Sequence, residues 1–228
     1  MTNEIIPYLD MCQREGLSLQ KGMNYQVKGQ YSIILMSQRP NAPYRDRIEE
    51  DGSVLIYEGH NIKRSRTTPD PKLIDQPEVL PSGSLTENGK FHKAAKEYKQ
   101  GLRQPIKVKV YEKIHGGIWS YLGTFDLVDS WKERDERREV FKFKLLATLD
   151  INSPNVTERQ LEHLRIIPTS VKLAVWKRDD GKCVKCGATN ELHFDHIIPY
   201  SKGGSSMTAD NIQLLCARHN LEKRDKIE

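Results

Sequence analysis

A chain of 228 residues has room for one large domain or two small ones. Hydrophobic residues make up 37% and charged residues 29%, the balance of a soluble globular protein and not of a chain built from membrane spans. The formal net charge of +5 permits nucleic acid as a partner without demanding it; the surplus is spread along the whole chain, so a binding face has to come from clustering in space.

The opening residues, Met1 to Pro7, carry no basic stretch and no long apolar run. No signal peptide, transmembrane helix or membrane partner is expected, and the cytoplasm is the expected compartment. Residues 2–20 read as a helix with Ile5, Leu9 and Met11 or Cys12 on one side. Gly22 opens something different. The apolar, β-branched run Tyr31–Met36 predicts a strand, and Ser53–Tyr57 a second. Phe91–Leu102 reads as a helix. Pro105–Glu112 alternates Ile106, Val108 and Val110 with Lys107 and Lys109, the pattern of a half-buried strand. Ile118–Trp131 reads as strand broken at Gly123, and Arg138–Leu145 alternates again. Many strands and few helices predict an α+β protein whose first part is a curved, mainly antiparallel sheet or barrel. The loops 37–52 and 58–90 are longer than such strands need, and long ordered loops in a compact domain are usually functional. Residues 148–168 read as a linker, with turn formers Asn152, Ser153 and Pro154 and a short helix over 157–164. Thr169 or Ser170 is the expected N-cap of a helix Val171–Arg178 that turns Val171, Ala174 and Val175 toward the segment after it.

That last segment, Trp176 to Lys223, concentrates the chemistry. Cys183 and Cys186 are separated by two residues, and Cys216 and His219 repeat the spacing. Two such knuckles supply the four soft or borderline ligands of a tetrahedral structural zinc. Four cysteines, three of them in this pattern and Cys12 alone, do not suggest a disulfide framework. Glu191–Tyr200 and Asn211–Cys216 read as short strands and Ala217 onward as a helix. A unit this small buries too little apolar surface to hold itself together, so bound metal would contribute folding energy directly. The arrangement brings Asp195, His196 and Asn220 near one another. Asp195 and Asn220 are oxygen donors suited to Mg²⁺ or Mn²⁺. His196 is the natural general base, because its ordinary pKa lies near neutrality. Three plainer readings stand beside these: a zinc knuckle that only holds a fold, His219 ligating the catalytic ion instead of zinc, and His193 as an exposed histidine sharing a strand face with Asp195.

The Cys183/Cys186 knuckle, the run Asp195-His196-Ile197-Ile198-Pro199, Ser201-Lys202-Gly203-Gly204, Asn211 with the apolar run after it, and the closing Cys216, His219, Asn220 and Lys223 together resemble the HNH (ββα-metal) nuclease family. His219 stands where many zinc-bearing members have a last cysteine. The resemblance implies that Asp195 and Asn220 bind the catalytic Mg²⁺ or Mn²⁺, that His196 activates water, and that Asn211 orients the His196 loop. A second resemblance covers residues 20–147. It is carried by Tyr31–Leu35, Asp51-Gly52 leading to Tyr57-Glu58-Gly59-His60, Asp75-Gln76, Leu85-Thr86-Glu87-Asn88, the strand from Pro105, Tyr121–Trp131 and Val140–Leu145. In that order they are similar to the SRA (YDG) domain, a curved, PUA-like barrel that reads modified cytosine. Where that family has Tyr-Thr-Gly-x-Gly-Gly, this chain has Tyr57-Glu58-Gly59-His60-Asn61. The resemblance implies base flipping, with the extruded base stacked between Tyr44 and Tyr57 and its amino group accepted by Asp46, or failing that by Glu49 or Asp51. Arg39, Arg45, Arg47, Lys63, Arg64 and Arg66 would then meet phosphates or fill the gap in the duplex.

The expected architecture is therefore an SRA-like recognition domain over 1–147, a linker over 148–168 and a zinc-stabilised HNH nuclease domain over 169–228. The expected function is hydrolysis of double-stranded DNA beside 5-methyl- or 5-hydroxymethylcytosine, as in restriction of modified foreign DNA. One HNH site cuts one strand, so a homodimer is expected. The alternatives are an HNH nicking enzyme indifferent to modification and a modified-DNA binder without catalysis.

Overall fold

The computed structural model describes residues 3–49, 53–66, 68, 70–148, 167–199, 202–224 and 226–227. Most of the expected linker, including the helix expected over 157–164, lies outside them, as do Asp51, Gly52, Tyr200 and Ser201.

The chain start is not one helix. Strand β1 spans Glu4–Pro7 and helix α1 spans Tyr8–Glu15. Pro7 has no N–H to donate and forces Ile6 into extended backbone. Ile5 and Ile6 are accordingly buried in a strand, and Leu9, expected on the buried side, is 76% exposed while Met11 fills the core. Strands β2 (Met23–Val27), β3 (Tyr31–Met36), β4 (Arg47–Glu49) and β5 (Val54–Glu58) follow. Helix α2 spans Glu87–Lys99 and starts earlier than its apolar pattern suggests, because Thr86 caps it by accepting from the Gly89 N–H. Strands β6 (Ile106–His115), β7 (Ile118–Arg134) and β8 (Glu139–Ala147) form the middle of the sheet. Gly123 does not break β7. Its φ of 111° carries the strand through a bulge opposite Val110 and Tyr111. Helix α3 (Thr169–Arg178), strands β9 (Leu192–His196) and β10 (Ile212–Cys216) and helix α4 (Ala217–Lys223) complete the described elements.

The strands join into one sheet in the order β10-β9-β1-β7-β6-β3-β2, with β8, β5 and β4 branching from the far half of β7. Only the β3–β6 pair is parallel among the described pairings. The sheet curls so that β2, at one end, and β5, on the branch, share one core around Phe91 of α2, with Met23, Ile34, Leu55, Phe125 and Phe143. The Tyr57 hydroxyl on β5 closes the gap by reaching the carbonyls of Gly22 and Leu35, 3.3 and 3.4 Å away. The α+β class and the curved, barrel-like sheet are thus as expected. None of the described helices is long and apolar enough to cross a membrane.

The C-terminal hairpin continues this sheet. Phe194 N donates to Asn3 O at 3.0 Å, placing β9 alongside β1. Ile5 and Ile114 pack with Val171, Val175, Leu192 and Leu214. Ala174 is exposed, and Lys172 takes the buried place beside Val171. Its ammonium lies 2.7 Å from Glu112 of β6, with both side chains fully out of solvent. Neither Thr169 nor Ser170 caps α3: Pro168 occupies the cap position and Thr169 turns its hydroxyl to Glu112. Breaking a buried pair by removing one partner strands a charge and costs roughly 3–5 kcal/mol. Lys172→Met is therefore expected to lower stability in urea titrations by that order, and Lys172→Met with Glu112→Gln to recover most of it.

Candidate active site and a second cleft

Cys183, Cys186, Cys216 and His219 converge so that one ligand atom from each lies within 4.8 Å of the others. Zinc–sulfur and zinc–nitrogen bonds of about 2.3 and 2.0 Å set tetrahedral edges of about 3.8 Å between sulfurs and about 3.5 Å between sulfur and nitrogen. The Cys186 and Cys216 sulfurs are 3.8 Å apart, and His219 Nδ1 lies 3.3 Å from Cys183 Sγ and 3.4 Å from Cys216 Sγ. The donor set therefore fits zinc, and His219 faces the thiols. Burial by itself would raise the Cys183 thiol, but backbone N–H groups of Cys216, Lys185 and Cys186 and the His219 side chain outweigh it and bring it down to about 6. A thiol so placed favours the thiolate, the form that ligates zinc.

The zinc-ligand cluster anchors α4 against the hairpin, and the hairpin presents Asp195 and His196 at the end of β9. His196 Nε2 lies 2.7 Å from the buried Ser206 hydroxyl, which orients the imidazole. Asn211 clamps the loop after His196: its Oδ1 accepts from Ile198 N at 2.8 Å, and its Nδ2 donates to the carbonyls of Ile198 and Ser205, both at 3.0 Å. Gly204 is needed under this clamp, since a Cβ there would sit 1.8 Å from the Ile198 carbonyl and 2.7 Å from Asn211 Nδ2. Lys223 lies with its ammonium 2.9 Å from Asp195 Oδ2 and donates to the His196 carbonyl. Asn220, half-buried, precedes Lys223 by one helical turn on α4. Asp195 and Asn220 are hard oxygen donors, the ligand type that suits a small divalent cation. Burial lowers the pKa of His193, on the same strand, with the charges of Glu4, Asp195 and Glu191 acting the other way. Ser206 and Lys223 were not assigned roles from the sequence. Lys223 closes the Cys216-to-Lys223 motif, and that position was its only signal.

The second site is a cleft of about 740 Å³ in the body of the chain, lined among others by Tyr44, Asp46, His60, Arg39, Tyr8 and Trp119. Tyr44 and Asp46 both line it. Tyr57, expected with Tyr44 to sandwich the base, does not line the cleft. Tyr57 has no exposed surface, and its ring belongs to the core because every residue of β5 is buried. His60 is the ring that stacks on Tyr44 instead, with centroids 4.9 Å apart and planes 9° from parallel. Its Nε2 lies 2.8 Å from the Tyr57 hydroxyl. Gly22 makes room for this ring, since a Cβ there would meet it at 2.6 Å. Burial pushes the His60 imidazole down to about 4, so it is neutral at physiological pH. The signal for His60 was the departure from the SRA pattern at that position. Its loop is held by other residues of the resemblance: Asn88 accepts from His60 N and donates to His60 O, each at 2.8 Å, and Gln76 donates to Gly59 O at 2.6 Å.

Asp46 accepts from Ser37 N at 3.2 Å and from Glu58 N at 3.0 Å. Burial pushes its carboxyl up to about 7, and those two backbone N–H groups pull it back only part of the way. A carboxyl whose folded pKa lies above its unfolded value of about 3.9 holds its proton more tightly in the folded chain, so its contribution to stability is lost as pH rises. Urea titrations are expected to show the wild type losing roughly 1–2 kcal/mol between about pH 5.5 and about pH 8 that Asp46→Asn does not lose. Of the expected phosphate partners, Lys63, Arg64 and Arg66 are exposed on the loop after His60, Arg39 lines the cleft, and Arg47 pairs with Glu49 at 2.5 Å.

Residues 183–226 match the family model described as HNH endonuclease. The chain is also similar to solved structures of SRA domains. For the SUVH5 SRA–fully methylated CG DNA complex the identity is 22%, covering 64% of this chain and 88% of that one, with a TM-score of 0.43. For SUVH5 SRA bound to fully hydroxymethylated CG DNA the values are 22%, 67%, 90% and 0.43. For Arabidopsis thaliana SUVH6 in complex with SAM they are 18%, 86%, 31% and 0.43. No curated protein matches the chain.

Proposed function

We propose that this chain is a modification-dependent DNA endonuclease. The observation that carries the nuclease half is Asp195-His196 inside the HNH match, with His196 held by Ser206 and its loop clamped by Asn211. His196 takes the proton from the attacking water, the water oxygen attacks phosphorus, and the 3′ oxygen leaves. A divalent cation held by Asp195 and Asn220 would polarise the scissile phosphate and stabilise that leaving oxygen. The zinc-ligand cluster keeps α4, and with it Asn220, in register with β9. Asn211 fixes the loop, so His196 needs no rearrangement when substrate arrives.

The recognition half rests on the pairing of Tyr44 with Asp46 in the cleft. A cytosine carrying a methyl or hydroxymethyl group at C5, rotated out of the duplex, stacks on Tyr44 and gives its amino hydrogens to Asp46. A base enters between Tyr44 and His60 only when the two rings part, since their centroids lie 4.9 Å apart. Arg39, Lys63, Arg64 and Arg66 hold the phosphates on either side. The units are the recognition domain over 1–147, a linker over 148–168 and the nuclease domain over 169–228. Two copies acting on opposite strands make a double-strand break, and restriction of modified foreign DNA in the cytoplasm is the role this serves. The test uses matched duplexes carrying cytosine, 5-methylcytosine or 5-hydroxymethylcytosine with Mg²⁺ or Mn²⁺, and EDTA as control. Cutting confined to modified duplexes is expected. Equal cutting of all three supports an HNH nicking enzyme indifferent to modification, and no cutting removes the nuclease reading.

A further inference from the structure

Lys223 is 2% exposed, and its charge is directed at two atoms, both in the Asp195-His196 pair. If α4 needed only a packing residue there, an apolar side chain would serve at lower cost, because a buried ammonium loses its hydration. Asp195 Oδ2 is sealed from solvent under this ammonium, whereas the Asp195 side chain as a whole keeps 17% of its surface exposed. Any further ligand therefore meets the carboxylate from the side of Oδ1. Asn220, one turn before Lys223, is neutral. Asp195, Asn220 and Lys223 together thus carry no net charge, although a divalent cation is held most tightly where anionic ligands accumulate.

We propose that Lys223 is a positioning residue that both aims Asp195 and holds back metal loading until DNA is bound. It rests on the nuclease reading above. The ammonium pins Oδ2 and the His196 carbonyl, leaving Oδ1 as the oxygen offered to the cation. Its positive charge keeps cation affinity low in the free protein, and the scissile phosphate supplies the missing negative charge. Metal and DNA then bind together, which suppresses cleavage centres preloaded with metal away from substrate.

The test measures Mn²⁺ binding to zinc-loaded protein by the loss of the free-ion EPR signal, with Asp195→Ala subtracting ions bound elsewhere. In DNA-free protein, Lys223→Gln is expected to bind Mn²⁺ about tenfold or more tightly than wild type, while its maximal cleavage rate falls about 10–100-fold. Lys223→Arg, which keeps the charge, is expected to keep the wild-type Mn²⁺ affinity. A residue that only packs would not tighten Mn²⁺ binding when removed. Unchanged or weaker Mn²⁺ binding in Lys223→Gln overturns the proposal. Should that variant lose its zinc, the His196→Ala protein decides. Adding modified duplex to it is expected to tighten Mn²⁺ binding at least tenfold, and an affinity that DNA leaves unchanged overturns the proposal. If wild type fails to cut any duplex at saturating metal, the nuclease reading fails; if it cuts normally while Mn²⁺ affinity ignores residue 223, only this inference fails.

Discussion

His196→Ala is expected to reduce DNA cleavage by about 10²–10⁴-fold while leaving zinc content, thermal midpoint and affinity for modified duplex at wild-type values. The residue sits at the end of β9, and its hydrogen bond to Ser206 is a terminal contact and not part of the core. The Asn211 clamp that shapes the loop acts on the main chain of Ile198 and Ser205. Truncation at residue 196 therefore removes the base without releasing the loop. The proposed recognition cleft around Tyr44 and Asp46 is lined by residues outside the hairpin, so binding should not follow cleavage downward. Gel-shift titrations and cleavage time courses on one preparation check both halves. Retained cleavage in His196→Ala would falsify the assignment of the base. Absent cleavage in the wild type itself would leave the modified-DNA binder without catalysis as the surviving reading. Ser206→Ala belongs to the same argument. It leaves the imidazole in place but without its orienting partner, so a smaller loss with a shifted pH profile is expected.

The two halves of the chain were unequally legible. In the nuclease segment the chemistry is carried by short spacings: the Cys183/Cys186 and Cys216/His219 knuckles, Asp195 beside His196, and the single Asn211. Each fixes a local geometry that the hairpin only has to deliver. What the spacings do not contain is which side chains close on these groups from a distance. Ser206 reaches His196 across a loop, and Lys223 reaches Asp195 from the far end of a helix, so both depend on register set by packing. In the body, the β-branched run marks β3 and alternation marks β6 and β8, but the chain start reads wrongly as helix, because whether Ile5 and Ile6 form helix or strand is settled by β7 and β9 on either side of them. Tyr57 shows the same limit. An aromatic at the end of a strand reads equally as cleft wall or core, and β5 is covered on both faces, which sends Tyr57 inward and leaves His60 as the ring at the cleft.

Removing zinc is expected to have the largest effect on stability, and to have it locally. Structural zinc sites in small domains contribute on the order of 10 kcal/mol of apparent binding free energy at neutral pH, which is folding free energy where no site pre-exists in the unfolded chain. The hairpin and α4 make a short unit: β9 and β10 have five residues each and α4 has seven. Its apolar cluster contains two of the ligand cysteines themselves, so the core and the metal site come apart together. The body is different. Its main core lies around Phe91 and draws nothing from residues after 147. Chelation, or Cys216→Ser, should therefore melt 183–227 while β2 through β8 keep their structure. Hydrogen exchange is expected to show protection lost in β9, β10 and α4 and retained in β6 and β7. One equivalent of zinc per chain should be released, cleavage should vanish, and affinity for the modified duplex should change little. The contact of β9 with β1 tests how local the event is. Glu4 pairs with His193 and Asn3 accepts from Phe194, so exchange at β1 should rise with the hairpin even though β1 also pairs with β7. If β6 and β7 lost protection as well, the nuclease unit would be part of the body's folding core rather than a metal-held extension of its sheet.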